Sequence, residues 1–343
     1  MHTTSVARLI GGTVFTVLLA LAMPLQAKTQ LLVYTAVEAE ELKGFAQAFT
    51  RAYPDIEIRW VRDSTGIITA KLLAEKASPR ADVIWGLAAT SLLLMKQENL
   101  LMPYAPPGLE KLEARFKDTD NPPFWVGQRA WAAVLCFNTL EAAKHHLPPP
   151  TSWQDLTKPI YKNHVAMPNP ASSGTGYLDV SGWLQMFGEE KGWAFMDALH
   201  QNISHYTHSG SKPCTQAAAG EVVIGISFAF RGAKLKEQGA PLELIVPSEG
   251  IGWNMEAAAI IKATNKVEAA QKFIDWSVTE EANRLYNEGF AVIARADLAQ
   301  PVKHYPEGTA KAMIDNNFQW AADNRQAILA EWQKRYEMKS EKK

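Results

Sequence analysis

The chain has 343 residues, 47% of them hydrophobic and 21% charged, with 35 lysines and arginines against 36 aspartates and glutamates and a formal net charge of -1. That length and apolar content suffice for two ordinary hydrophobic cores. The balanced charge supplies no broad basic field, which argues against nucleic acid or an anionic membrane surface as the main partner and points to a small ligand.

The first predicted element is a leader. In MHTTSVARLIGGTVFTVLLALAMPLQAKTQ, Arg8 precedes an apolar run at 9–23, followed by Pro24 and the small residue Ala27. That order predicts a secretory signal at 1–27, cleaved after Ala27, the alternative being an uncleaved anchor, for which a span of roughly 20 apolar residues is needed. The first cysteine is Cys136, so cleavage there creates no N-terminal thiol for a lipid, and a soluble periplasmic protein is expected.

From Lys28 onward, short apolar runs alternate with helical periods. LLVYT at 31–35 predicts a strand, and Leu42, Phe45, Ala46 and Phe49 form the i, i+3, i+4, i+7 stripe of an amphipathic helix. IEIRWV, a helix at 67–77, DVIWG and a helix at 92–97 continue the alternation, which predicts an α/β lobe with a mostly parallel sheet. A Pro- and Gly-rich stretch at 103–123 breaks the rhythm. WAAVLCFNT then predicts a long strand leading into a second α/β lobe. Its elements are a helix opened by Thr151, the strand HVAM, helices after Gly176 and at 192–203, and the strands VVIGISF and LELIVP. WNMEAAAII gives a further strand, and VEAAQKFIDWSV a helix with Ala269, Ala270, Phe273 and Trp276 on one side. Segment 310–336 predicts one or two helices whose stripe of Phe318, Ile328, Leu329 and Trp332 packs across the back of a lobe.

The predicted organisation is therefore a signal peptide at 1–27, a first lobe from 28–130 and 254–343, and a second lobe from 131–253, joined by two hinge-crossing strands. Cys136 and Cys214 leave two readings open in an oxidising compartment, a bridge or two separate buried thiols. Neither belongs to a CxxC or Cys/His pattern, so no zinc is expected.

Four polar turns carry the candidate chemistry. In NPASSGTGYLDV, the residues Ser172, Ser173, Gly174 and Thr175 stand directly before a helical period. A helix N-terminus leaves backbone donors free and carries the positive end of the macrodipole, so it binds phosphate-like anions. One hydroxyl is enough for a cap, and capping by Ser173 or Thr175 is the competing reading. RDSTG repeats the pattern with Ser64 and Thr65, and YTHSGSKPC offers Thr207, Ser209 and Ser211. In YTAVE, Thr35 and Glu38 have the spacing of a capping box as well as a place at a strand end. Ligands of open α/β sheets sit beyond the carboxyl ends of the strands, where all four turns fall. No G-x-S-x-G elbow, phosphate loop or H-E-x-x-H motif occurs, so no enzymatic activity and no cofactor are expected. The rival from another class is a secreted phosphonate- or phosphoester-processing enzyme with Ser172 or Ser173 as nucleophile; its motif lacks an identifiable base.

On these residues, nearly the whole chain from Lys28 resembles the periplasmic solute-binding proteins of ABC transporters with the two-lobed, ferric-binding-protein-like (type II) fold. YTAVE, VRDSTGIITAKLLAEKA, MPNPASSGTGYLDV and THSGSKPC are similar to the binding proteins for 2-aminoethylphosphonate, whereas TSWQDLTKPIYK supports only the superfamily. Ferric-binding relatives ligate iron with adjacent tyrosines, while Tyr161, Tyr177 and Tyr206 here are isolated, which disfavours iron and any metal site. The resemblance implies a non-catalytic monomer that closes on 2-aminoethylphosphonate and presents it to the permease subunits of an importer. Phosphate, an organic sulfonate, a polyamine or ferric ion are the alternative ligands. For the phosphonate the candidates are Ser64, Thr65, Ser172, Ser173, Gly174 and Thr175. For the ammonium they are Glu38, Asp179, Glu256 and the ring of Trp253. Thr35 and Ser209 complete the candidate set.

The leader reading has a direct test. Protein released by osmotic shock is expected to begin near Lys28 on N-terminal sequencing; a chain that starts at Met1 and pellets with membranes would contradict it.

Overall fold

The computed structural model describes residue 2 and residues 28–342, so the leader expected at 1–27 lies, apart from His2, outside the described residues. The first lobe is built from β1 (Thr29–Thr35), α1 (Ala39–Ala52), β2 (Ile56–Arg62), α2 (Thr65–Ala74), β3 (Val83–Ala88), α3 (Ala89–Gln97) and β4 (Leu101–Met102). These follow the predicted alternation closely. α1 forms because Leu42, Phe45, Ala48 and Phe49 recur on one face and are buried there, while Lys43, Gly44 and Gln47 face water.

The chain then enters β5 (Val126–Asn138), all of whose residues are buried. A continuous apolar run is what a strand covered on both faces requires. α4 (Thr139–His145), β6 (Val165–Pro168), α5 (Gly174–Phe187), α6 (Glu189–Asn202), β7 (Ile203–Thr207), α7 (Lys212–Ala219), β8 (Ile224–Phe228), α8 (Ala229–Glu237) and β9 (Leu242–Ile245) make the second lobe. The helix expected from Thr151 is reduced to two 3-10 turns, Gln154–Thr157 and Pro159–Tyr161. Pro159 lacks an amide donor and restricts the residue before it, so an α-helix cannot run through.

β10 (Trp253–Ile261) returns to the first lobe and is followed by α9 (Val267–Ser277), α10 (Glu280–Asn287), α11 (Thr309–Ala312), α12 (Phe318–Asp323) and α13 (Arg325–Tyr336). α12 lies against α3. The last helix does not finish the first lobe, as the 254–343 boundary anticipated. Trp332 packs on Tyr206 with ring centroids 4.8 Å apart, and the Tyr336 hydroxyl donates to Asp197 at 2.7 Å, both partners belonging to the second lobe. Its apolar stripe finds cover there, so the chain crosses between lobes once more.

The strand order runs β2-β1-β3-β10-β5 and continues through β5 to β8-β6-β7, with β4 on β10 and β9 on β5. β5 serves both lobes: residues 126–132 pair with β10, residues 133–137 with β8 and residues 135–138 with β9. β1, β2 and β3 are mutually parallel, as are β6, β7 and β8. β10 and β5 run antiparallel to their neighbours, so each sheet is mixed rather than mostly parallel. The architecture is the expected two-lobed α/β arrangement.

Cys136 in β5 and Cys214 in α7 form a disulfide, with Cα atoms 5.3 Å apart and a sequence separation of 78. It ties the start of α7 to the central strand. Closing a loop of that length contributes roughly 4 kcal/mol in the chain-entropy model. The unfolded, unreduced protein is therefore expected to show no titratable thiol, and reduction to lower its melting temperature. Two thiols reacting before reduction would contradict the bridge.

Candidate functional site

A cleft opens where the two sets of parallel strands end. From the first lobe, Glu38 follows β1, Arg62 ends β2 with Ser64 and Thr65 just beyond, and Gly86 lies in β3. From the second, Ser173, Gly174 and Thr175 follow β6, Ser209, Gly210 and Ser211 follow β7, and Phe228 ends β8. Trp131 of β5, Glu256 of β10 and Phe290 after α10 complete the wall. The turns after β1, β2, β6 and β7, the end of β8 and Gly86 within β3 thus share one space, with a free volume of about 60 Å³.

The lobes touch across this space. The Gly66 amide donates to the Ser172 carbonyl at 2.9 Å. A Cβ on Gly66 would lie 2.0 Å from the Ala171 carbonyl oxygen, and one on Gly174 would lie 2.6 Å from Thr65 Oγ1. Only glycine permits so close an approach. The contact brings the N-termini of α2 and α5 together from opposite lobes, so two positive dipole ends converge. Ser173 Oγ caps α5, accepting from the Thr175 and Gly176 amides at 3.2 and 3.3 Å. Among the described residues, the hydroxyls of Ser64, Thr65, Thr175, Ser209 and Ser211 do not appear in any hydrogen bond, although Ser64, Thr65 and Thr175 are buried. Their oxygens keep access to the cleft space, so each can donate to a ligand placed there.

The other end of the cleft is ionic. Glu38 sits between Arg62, at 3.4 Å, and Arg231 of the opposite lobe, at 3.0 Å; Arg231 also pairs with Glu40 at 2.8 Å. Burial raises the Glu38 pKa, and the two arginines oppose that rise. Glu256 is held by Arg129 through Nε at 2.7 Å and Nη2 at 3.2 Å. Burial pushes its carboxyl above the usual range, against the pull of Arg129.

The structure brings together Glu38, Ser64, Thr65, Ser173, Gly174, Thr175, Ser209 and Glu256 of the predicted set on one cleft. Four residues of that set lie elsewhere. Thr35 is fully buried and its hydroxyl accepts from the Val37 amide, so it stabilises the turn; the capping box with Glu38 does not form. Ser172 donates to the His208 carbonyl at 2.7 Å and faces an outer groove beside Asn169 and His208. Trp253 donates to the Ile314 carbonyl at 2.8 Å and meets Phe318 edge-on, which is packing at the return between lobes. Asp179 is buried within α5 with both oxygens unpartnered among the described residues, and burial pushes its pKa well up. Ser211, offered by the same turn as Ser209, also lines the cleft, whereas sequence reasoning missed Arg62, Trp131, Phe228 and Phe290 as site residues. Arg62 and Phe228 end predicted strands, a position that could have singled them out, whereas nothing local in the sequence marks Trp131 or Phe290.

Among the described residues, no helix is long and apolar enough to cross a membrane, and no group of three or more His, Cys, Asp or Glu side chains could hold a metal ion. The profile of the bacterial extracellular solute-binding proteins matches residues 78–322. An uncharacterized protein of Haemophilus influenzae is 30% identical over 322 residues, 92% of each chain. A Salmonella typhimurium periplasmic protein named for binding 2-aminoethylphosphonate is 23% identical over 77% of each chain. The periplasmic binding protein AfuA of Actinobacillus pleuropneumoniae, solved with exogenous fructose-6-phosphate bound, superimposes with a TM-score of 0.84 at 28% identity, over 91% of this chain and all of that one. With its two lobes, its strand-end cleft and a profile match across most of its length, the chain belongs to the bacterial extracellular solute-binding proteins, the periplasmic solute-binding components of ABC transporters.

Proposed function

We propose that the cleft captures 2-aminoethylphosphonate and that the closed protein delivers it to the permease subunits of an importer. The observation that carries this reading is the meeting of the α2 and α5 N-termini in a cleft lined by five hydroxyls that have no hydrogen-bond partner among the described residues. A phosphonate has three acceptor oxygens and negative charge, which is what converging helix N-termini, free amides and hydroxyls complement. No metal is needed to hold it.

The amine finds its complement at the opposite wall. Glu38 and Glu256 are each committed to an arginine, yet an ionised carboxylate has about four lone-pair sites and retains acceptor capacity. The ring of Trp131, buried at the cleft wall, offers a cation–π face in place of Trp253. The small free volume favours a compact ligand. A phosphate ester is the second reading, favoured by the likeness to AfuA, whose structure holds fructose-6-phosphate. It would use the same helix ends.

Alanine substitutions separate capping from binding. Ser64→Ala, Thr65→Ala and Thr175→Ala are each expected to weaken 2-aminoethylphosphonate roughly 10-fold in calorimetric titration, the loss of a hydrogen bond to a charged group, with little change in melting temperature. Ser173→Ala is expected to lose affinity and also about 1 kcal/mol of stability, because it removes a cap. Ser172→Ala should leave affinity nearly unchanged. If the three cleft hydroxyls prove dispensable, the anion site is not where this reading puts it.

A further inference from the structure

Arg129 stands behind the cleft wall, fully buried in β5. It makes four charge-assisted hydrogen bonds: Nη1 and Nη2 to Glu41 at 2.7 and 2.9 Å, Nε and Nη2 to Glu256 at 2.7 and 3.2 Å. Its guanidinium also lies 3.9 Å from the ring centroid of Phe290, with Phe45 and Tyr286 at 5.4 and 5.8 Å. Two of its partners, Glu256 and Phe290, line the cleft; Arg129 itself does not. Phe290 in turn stacks on Phe230 of α8, centroids 4.7 Å apart and planes 12° from parallel, so the same node reaches the opposite lobe.

We propose that Arg129 is a positioning residue that fixes Glu256 and Phe290 as the cation-selective wall of the cleft and so sets the preference for aminated over amine-free phosphonates. This inference rests on the ligand reading given above. One arginine between two glutamates leaves the cluster with a net charge of -1, directed at the cleft through Glu256. The forked guanidinium fixes both oxygens of each carboxylate, a geometry that a lysine ammonium cannot reproduce.

The charge of Arg129 matters as much as its shape. Glu256 faces Arg129 from β5, Glu41 from α1, Glu38 from the turn before α1 and Tyr286 from α10, with Arg62 lining the same cleft. Burial raises its carboxyl above the usual range, and Glu41 and Glu38 push in the same direction; Arg129 is the group that pulls it down. Weakening that pull favours the protonated acid, which presents no charge to an ammonium. The amine-dependent part of binding should therefore strengthen as pH rises through the raised pKa of Glu256 in the native protein, and do so at higher pH once Arg129 is perturbed.

The test uses 2-aminoethylphosphonate and ethylphosphonate as probes, because titration of the phosphonate is common to both and cancels in their affinity ratio. Calorimetry of the native protein, Arg129→Lys, Glu256→Gln and the double variant gives that ratio between pH 6 and 8.5. The native protein is expected to prefer the aminated probe by roughly 10-fold or more at the alkaline end. Arg129→Lys should cut the preference several-fold and move its pH profile upward, with ethylphosphonate affinity changed by no more than about two-fold. In the Glu256→Gln background, Arg129→Lys should have no further effect on the ratio. Equal losses for both probes, additive effects or an unchanged ratio would overturn the positioning role while leaving the ligand reading intact. A native protein that binds both probes equally would overturn the amine end of the ligand reading and this inference with it. Should Arg129→Lys fail to fold, Glu41→Gln loosens the same guanidinium: a reduced ratio supports the role, and an unchanged one overturns it.

Discussion

Two helix N-termini approach one another from opposite lobes, and the Gly66 amide reaches the Ser172 carbonyl at 2.9 Å between them. Each end carries about half a positive charge, so two ends roughly 5 Å apart repel by about 0.8 kcal/mol at an effective dielectric near 20. A monoanion roughly 3.5 Å from both gains about 2 kcal/mol from each end under the same assumptions. The attraction exceeds the repulsion several-fold. An arrangement that is mildly unfavourable by itself becomes favourable with an anion in place, which links closure to occupancy.

The rest of the structure supports that approach. β5 is paired in both lobes and buried along its whole length, so the cleft wall that carries Trp131 is part of a strand covered from end to end. Its disulfide to α7 fixes the start of the helix that follows Ser209 and Ser211. Gly66 and Gly174 keep side chains out of the point of contact. On the ionic side, Arg231 reaches from the second lobe to Glu38 and Glu40 of the first, so the closed form carries cross-lobe ion pairs as well. Partly exposed pairs contribute little by themselves. Here they set the register in which the lobes meet.

Much of this was legible in the sequence because the signals are local. Strand runs such as IEIRWV and WNMEAAAII, and the glycine-bearing polar turns at strand ends, depend on periodicity and backbone chemistry within a dozen residues. The turns at Ser64–Thr65 and Ser173–Thr175 accordingly face the cleft as expected. Side-chain direction was not legible. Ser172 and Ser173 are neighbours, yet one points to the cleft and the other to His208, because the chain turns between them into α5. Trp131 and Trp253 are both aromatic residues of interlobe strands, and only the pairing of β5 with β10 decides which ring faces the ligand space. The return of α13 to the second lobe depends on a hydrophobic partner, Tyr206, more than a hundred residues away in sequence.

The most direct test of the anion-bridged closure is the position of phosphorus in a crystal structure of the protein grown with 2-aminoethylphosphonate. It is expected between the first turns of α2 and α5, with phosphonate oxygens within hydrogen-bonding distance of the Thr65 and Gly174 amides and the amine toward Glu256. Phosphorus against the Glu38 and Glu256 wall, or lobes closed to the same extent with the space between the two helix ends holding only water, would contradict it.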